Sequence, residues 1–291
     1  MTLKRFEALN WASSFLSKHD RDANIGEILL CHRLGLTRTE LLVDIRESLK
    51  KEDEIWFKDG VIQHVKTGEP VQYMTGTETF YGRTFHVSPA VLIPRPETEE
   101  LIEWVKNWAN LYFPHKKELS VCDIGTGSGA IAITLALEKP EWHVSTVDLS
   151  ADAIKVAKDN AKNLHATVDF YEGSFLQPLI DHHKKVDILV SNPPYISKEG
   201  MRSLQDVVKD HEPHLALSGG EDGLDAYRCI LKEVRQIMKD QLLIGFEIGY
   251  DQGEAIQNLI KQTFDQQIEA LKVMKDINGN DRVALAFVRS V

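Results

Sequence analysis

Long apolar runs are missing from this sequence. No stretch reaches the roughly 18 residues of a membrane span, and the first residues, Met1-Thr2-Leu3-Lys4-Arg5-Phe6, lack the apolar segment of a secretory leader. Cysteine is scarce. Cys31, Cys122 and Cys229 lie far apart and form no C-x-x-C pair, so neither a zinc site nor a disulfide framework is indicated. The histidines supply no metal site either: His211 and His214 have no clear third ligand, and His182-His183 are adjacent, so solvent-facing side chains are expected. Basic charge is in deficit, with 34 Lys and Arg against 44 Asp and Glu and a net charge of −10. Sequence-independent binding to a phosphate backbone needs a basic footprint, which this balance disfavours. Internal repeats and low-complexity segments are also lacking. The expectation is a cytoplasmic monomer with reduced thiols and no direct nucleic-acid or membrane partner.

What is present is an ordinary apolar fraction of 43% in 291 residues, enough for a sizeable core and about two domains. Residues 1–75 carry helical patterns and no strand pattern. Thr37-Arg38-Thr39-Glu40 has capping-box spacing ahead of Leu41, Leu42 and Ile45. Ile25, Ile28 and Leu29 fall on one face of a segment that Gly35 would end. Ile55, Trp56, Val61, Ile62 and Val65 predict another helix, closed by Gly68 and Pro70. A small helical bundle follows.

Between about 76 and 93 the pattern changes, with a β-hairpin expected to turn near Tyr81-Gly82-Arg83. Thr98 or its neighbours would then start a helix carrying Leu101, Ile102 and Val105. From about 119, short apolar runs alternate with helical patterns. Strands are expected at Ser120–Ile124, His143–Asp148, Val168–Gly173, Val186–Asn192 and Leu242–Ile248, with two more near Ile268–Ile277 and Arg282–Val288. Such alternation predicts an α/β domain built on a parallel sheet. The expected division is thus residues 1–75, all helical, and residues 76–291, α/β.

Two signatures stand at strand ends. The first is Asp123-Ile124-Gly125-Thr126-Gly127-Ser128-Gly129, followed by the apolar helix Ala130-Ile131-Ala132-Ile133. Glycines allow the tight turn and close ligand approach, and the helix N-terminus behind them favours an anion. That suits a pyrophosphate or the carboxylate of a methionyl ligand. The spacing is G-x-G-x-G, not the G-x-G-x-x-G of dinucleotide binding. Asp148 ends the next strand, where an acid commonly accepts from ribose hydroxyls; a helix N-cap before Ser150-Ala151-Asp152 is the other reading.

The second signature is Asn192-Pro193-Pro194-Tyr195, directly after Val186–Ser191. An amide or exocyclic amine is a poor nucleophile because its lone pair is delocalised. The Asn192 side-chain oxygen and the Pro193 carbonyl can each accept one of its N–H groups and aim the lone pair. The prolines stiffen the loop and remove competing donors, and Tyr195 offers a flat wall. In this order the two signatures point to methyl transfer onto a planar nitrogen.

These residues, with Pro70-Val71-Gln72-Tyr73, Pro94-Arg95-Pro96-Glu97-Thr98-Glu99, His211-Glu212-Pro213, Ser218-Gly219-Gly220-Glu221-Asp222-Gly223-Leu224 and Asn280-Asp281-Arg282, closely resemble the PrmC/HemK family. These are the release factor glutamine methyltransferases, within the class I enzymes dependent on S-adenosyl-L-methionine. The likeness spans nearly the whole chain. It departs at Phe175, where many members carry Trp, and at His211, where an aromatic residue is usual. The resemblance implies a Rossmann-like, seven-stranded, mostly parallel sheet with its last strand antiparallel, and a small all-α N-terminal domain that helps hold a protein substrate. It implies methylation of the side-chain amide nitrogen (N5) of the Gln in the GGQ motif of peptide chain release factors, with S-adenosyl-L-homocysteine as by-product. By position, Gly125, Thr126, Gly127, Ser128 and Gly129 would contact the methionyl part of the cofactor. Asp148 would hold the ribose, and Phe175 would lie near the adenine. Asn192 would serve cofactor and substrate. Asn192, Pro193, Pro194 and Tyr195 would bind the substrate amide, with Asn192, Pro193 and Tyr195 as the catalytic group. A nucleic-acid amino-methyltransferase and a non-enzymatic protein on the same scaffold remain as alternatives. Arg95 could pair with Glu97 or Glu99 or meet a substrate, and Glu247 could touch the cofactor pocket or be structural.

Overall fold

A computed structural model describes residues 2–290. The chain divides into two compact units: residues 1–77 with 205–211, and residues 78–204 with 212–291. Among the described residues, no helix is long and apolar enough to cross a membrane.

The first unit contains helices α1 (Arg5–Ser17), α2 (Ile25–Leu34), α3 (Arg38–Val43), α4 (Lys51–Thr67) and α5 (Val71–Thr75). Its core gathers Ala8, Ala12, Leu16, Leu29, Leu41, Phe57 and Val61. The Thr37 capping box forms in α3, with Glu40 N–H donating to Thr37 Oγ1 at 3.2 Å and Thr37 N–H to Glu40 Oε2 at 2.8 Å. Gly35 and Gly68 close α2 and α4 in left-handed conformations. Ile28, which the sequence places on one face with Ile25 and Leu29, is instead exposed, as are Leu42 and Ile55. In α2 the inward face is centred on Ile25, Gly26, Leu29 and Leu30, which turns Ile28 outward. In α4 it runs through Asp53, Phe57, Gly60, Val61 and His64, and the polar members hid it from an apolar count. Residues 205–211 return to this unit from much later in the chain. Arg21 donates to both oxygens of Asp206 at 2.7 Å, and His211 Nε2 lies 2.8 Å from the Thr67 carbonyl.

A two-stranded hairpin, β1 (Thr77–Phe80) and β2 (Arg83–His86), turns at Tyr81-Gly82. Both turn residues have positive φ, 52° and 70°, as a two-residue primed turn requires. Helix α6 (Pro96–Tyr112) begins at Pro96, with Arg95 at its N-cap. Proline suits that first position because its missing N–H would be unpaired there anyway. Thr98, expected to start the helix, sits one turn inside it and is buried.

The sheet of the second unit comprises β3 (Ser120–Ile124), β4 (His143–Asp148), β5 (Asp169–Glu172), β6 (Val186–Ser191), β7 (Met238–Glu247), β8 (Ile268–Lys275) and β9 (Asp281–Arg289). Their order is β5-β4-β3-β6-β7-β9-β8. β3 to β7 pair in parallel, while β9 runs antiparallel to both β7 and β8. Helices α7 (Ala130–Glu138) and α8 (Ala151–Asn163) connect the first strands. Strand residues alternate between two cores: Ile188 and Val190 face the one with α6 and α7, and Leu189 faces the one with helices 225–233 and 253–264. β6 is buried along its whole length, as expected of a central parallel strand.

Asp187 ties together the starts of these central strands. Its buried carboxylate accepts from Lys116 Nζ at 2.6 Å, Lys239 Nζ at 2.8 Å and the Ser120 N–H at 2.8 Å. Burial alone would raise this acid, but the hydrogen bonds from Lys116, Lys239 and Ser120 hold it below the usual carboxylate range. Its stabilising effect is therefore present above the unfolded pKa and is lost as pH falls through the lower folded value. Asp187→Ala should cost about 1–3 kcal/mol in urea unfolding at neutral pH. The difference from the parent protein should shrink as both are acidified below pH ~4.

Candidate active site

Ile124 lies opposite Ser191 in the parallel pairing of β3 and β6. Both strands end there, so Gly125 and Asn192 open adjacent loops at the carboxyl edge of the sheet. Ser191 Oγ donates to the Ile124 carbonyl at 2.5 Å and locks the two ends together. On either side of this pair the sheet is wound in opposite directions, and such a switch point is where open α/β sheets form a crevice.

The glycine loop leaves β3 with Gly125, Gly127 and Gly129 all at positive φ. It is stitched to the end of β4, with the Gly125 and Thr126 N–H groups donating to the Val147 carbonyl at 2.9 and 3.2 Å. Asp148 completes the stitch: it accepts from Gly127 N–H at 2.9 Å and from Ser150 N–H at 2.8 Å. Burial pushes its carboxyl upward, opposed by these backbone donors. The cap of α8 is Ser150, whose hydroxyl accepts from Ala153 N–H at 3.2 Å. Asp148 is thereby left as an acceptor on the cavity wall. Beneath the loop, Asp123 is fully buried, and burial raises its carboxyl far above the usual range. Thr146 donates to it at 3.3 Å and lies 2.7 Å from the Thr126 hydroxyl. Asp123 is thus a buried buttress beneath the loop, tied to it through Thr146 and Thr126.

The Asn192–Tyr195 loop is braced from behind. Gln252 Nε2 donates to the carbonyls of Tyr195 at 3.0 Å and Gly223 at 3.1 Å, while its Oε1 accepts from Gly249 N–H at 2.9 Å. Ile196 and the segment 217–219 exchange backbone hydrogen bonds of 3.0 and 2.9 Å. Gly223 stands at φ +80°, and a Cβ there would meet the Tyr195 carbonyl oxygen at 2.3 Å. The Ser218–Leu224 motif therefore serves as backing for the proline loop.

Between the loops lies a cavity of about 360 Å³. Gly125, Thr126, Gly127, Ser128, Asp148, Phe175, Asn192, Pro193 and Pro194 line it. Gly129 and Tyr195 do not. Gly129 caps α7 beneath the loop. Tyr195 packs against the second core, where burial pushes its hydroxyl up to about 12. Two wall residues outside every sequence motif, Leu149 and Leu215, complete part of the lining. Each is 57% exposed, giving the cavity an apolar rim. Thr98 and Arg95 reach the cavity from α6 and its cap. Arg95 pairs with the buried Glu212, not with Glu97 or Glu99. Glu212 also accepts from Ile93 N–H at 3.3 Å, which fixes it to the chain entering α6. Proximity in sequence gave no hint of a partner 117 residues away.

Residues 7–76 match the family described as the PrmC N-terminal domain, and residues 110–222 the methyltransferase small domain. The chain is 50% identical to the release factor glutamine methyltransferase of Bacillus anthracis, over 98% of this chain and 99% of that one. Identity to the protein of the same name from Bacillus subtilis is 46%, over 97% of each chain. A methyltransferase structure from Pyrococcus furiosus superposes with a TM-score of 0.51 at 14% identity, over 80% of this chain and 98% of that one, a likeness of fold.

Asp148→Ala should free the glycine loop. The expected result is faster amide hydrogen exchange at Gly127, by roughly tenfold or more for loss of a charge-assisted bond. Unchanged exchange would mean that the Val147 contacts alone hold the loop.

Proposed function

We propose, because the chain belongs to the release factor glutamine methyltransferase family, that it methylates the side-chain amide nitrogen of the Gln in the GGQ motif of peptide chain release factors. Its fold is that of the class I methyltransferases, a seven-stranded, mostly parallel sheet between helices. In this reading the donor is S-adenosyl-L-methionine and the by-product S-adenosyl-L-homocysteine. One observation carries the reading: the glycine loop, Asp148 and Asn192-Pro193 share a single cavity.

The residues present fit such a donor. Asp148 offers carboxylate oxygens for ribose hydroxyls. Phe175 and Leu149 supply apolar faces for a purine, and the glycine loop with the start of α7 offers N–H groups for a carboxylate. The volume falls within the usual range for small-ligand sites, roughly 300–1,000 Å³. When bound, the donor supplies an electrophilic methyl group on a sulfonium.

The chain itself orients the acceptor. Asn192 Oδ1 and the Pro193 carbonyl would accept the two N–H groups of the substrate amide and turn its lone pair toward the donor. No side chain needs to remove a proton beforehand, because the amide nitrogen becomes acidic only as it is alkylated, and the proton can then leave to water. Catalysis is therefore chiefly positioning, for which roughly 7–11 kcal/mol is the ceiling. Tyr195 acts from behind this loop as a rigid support. The first unit would help hold the protein substrate, and a monomer in the cytoplasm is the assembly and location proposed.

The test is transfer of labelled methyl from S-adenosyl-L-methionine to a purified release factor, its GGQ Gln→Ala variant, DNA and RNA. Label on the parent factor alone is expected; label on nucleic acid would replace this reading with the amino-methyltransferase of nucleic acids. Asn192→Ala should lower turnover by roughly 100-fold or more while leaving the unfolding midpoint nearly unchanged. Near-normal turnover would remove Asn192 from the catalytic group.

A further inference from the structure

Asn192 is held by a chain of hydrogen bonds that starts in the core. Glu247, the last residue of β7, is buried. The Thr98 hydroxyl donates to its Oε2 at 2.7 Å. Asn192 Nδ2 in turn donates to Thr98 Oγ1 at 3.2 Å. The three residues come from β7, α6 and the loop after β6, at separations of 149 and 94 positions.

The direction of these bonds matters more than their number. An ionised carboxylate only accepts. It therefore takes the single hydroxyl proton of Thr98 and leaves Thr98 Oγ1 as an acceptor toward Asn192. Only the Nδ2 end of the Asn192 amide can donate to that acceptor. With Nδ2 engaged, the planar amide presents Oδ1 on its other side. An Asn free to rotate would spend part of its time offering Nδ2 donors to the substrate, and two N–H groups facing each other orient nothing.

We propose that Thr98 and Glu247 are positioning residues that fix the Asn192 amide so that Oδ1, and not Nδ2, faces the substrate nitrogen. The consequence for rate rests on the function proposed above; the geometry of the relay does not. This also gives a role to the Thr of the Pro94–Glu99 segment and to the buried acid of β7.

The relay has a built-in sensitivity to pH. Burial pushes Glu247 up to about 7, moderated by the Thr98 hydroxyl and by Arg282 and Arg95, with Glu97 acting against them. The Tyr195 and Tyr227 hydroxyls also feel its charge, and Tyr227 Oη donates to its backbone carbonyl at 2.7 Å. Below that pH a protonated Glu247 can donate to Thr98, whose hydroxyl can then turn to Asn192 Oδ1. The polarity of the relay is lost as pH falls and restored as pH rises.

The experiment follows the Asn192 side-chain amide by 15N–1H NMR in the full chain, with Asn192→Ala used to assign it. In the parent protein these signals should shift with an apparent midpoint near pH ~7, and Glu247→Gln should abolish that shift. Thr98→Val, which keeps shape and removes the hydroxyl, should move the signals. In methyl transfer to a release factor, Thr98→Val should lower kcat roughly 10- to 100-fold with the KM for S-adenosyl-L-methionine within about twofold. Thr98→Ser should restore kcat. Asn192 signals that neither titrate nor respond to Thr98→Val would overturn the proposal, as would full kcat in that variant. A parent protein that methylates no release factor would sink the function proposed above, yet the NMR titration would still decide the relay. That titration needs no Thr98 variant, so it stands even if Thr98→Val does not fold.

Discussion

The parallel pairing of β3 with β6 is the constraint on which the site depends. Ile124 and Ser191 are 67 residues apart, yet the Ser191 hydroxyl closes on the Ile124 carbonyl. In a parallel pair both strands finish at the same edge, so the two loops that follow must share a crevice. Slipping the register by one residue would turn every β6 side chain to the opposite core, and both cores are filled. The buried residues of β6 thus fix the candidate site as much as the residues that line it. Asp187 holds the far end of the same strands, so the register is pinned at both edges.

Around that pair, rigidity is built from unlike materials. On the glycine side it comes from backbone donors converging on Val147 and Asp148. On the proline side, where backbone donors are missing, it comes from Gln252 and from the close packing of Gly223. A loop with few N–H groups has acceptors to spare. Such a loop must be held by its carbonyls, and Gln252 does so.

Much of this was legible in the sequence, for local reasons. β3 and β4 follow from short apolar runs, and the turn at Tyr81-Gly82 from its glycine. The two signatures stand out because each packs its special residues into a few consecutive positions. What escaped was non-local. Arg95 finds Glu212, and Thr98 joins Glu247 to Asn192, across separations that no periodicity registers. The inward faces of α2 and α4 are not marked by apolar residues alone, because glycine, aspartate and histidine share the contact surface with them. The pairing of Ser150, rather than Asp148, with the start of α8 depends on which of two oxygens a backbone donor reaches.

The return of residues 205–211 to the first unit has a consequence for synthesis. A chain emerging from the ribosome presents its five N-terminal helices early. Asp206 and His211, which engage Arg21 and Thr67, arrive only after β6 has been made. The first unit therefore cannot reach its final form as soon as its own helices are available. Its last contacts can form only after β6, the strand that leads into Asn192, has been made.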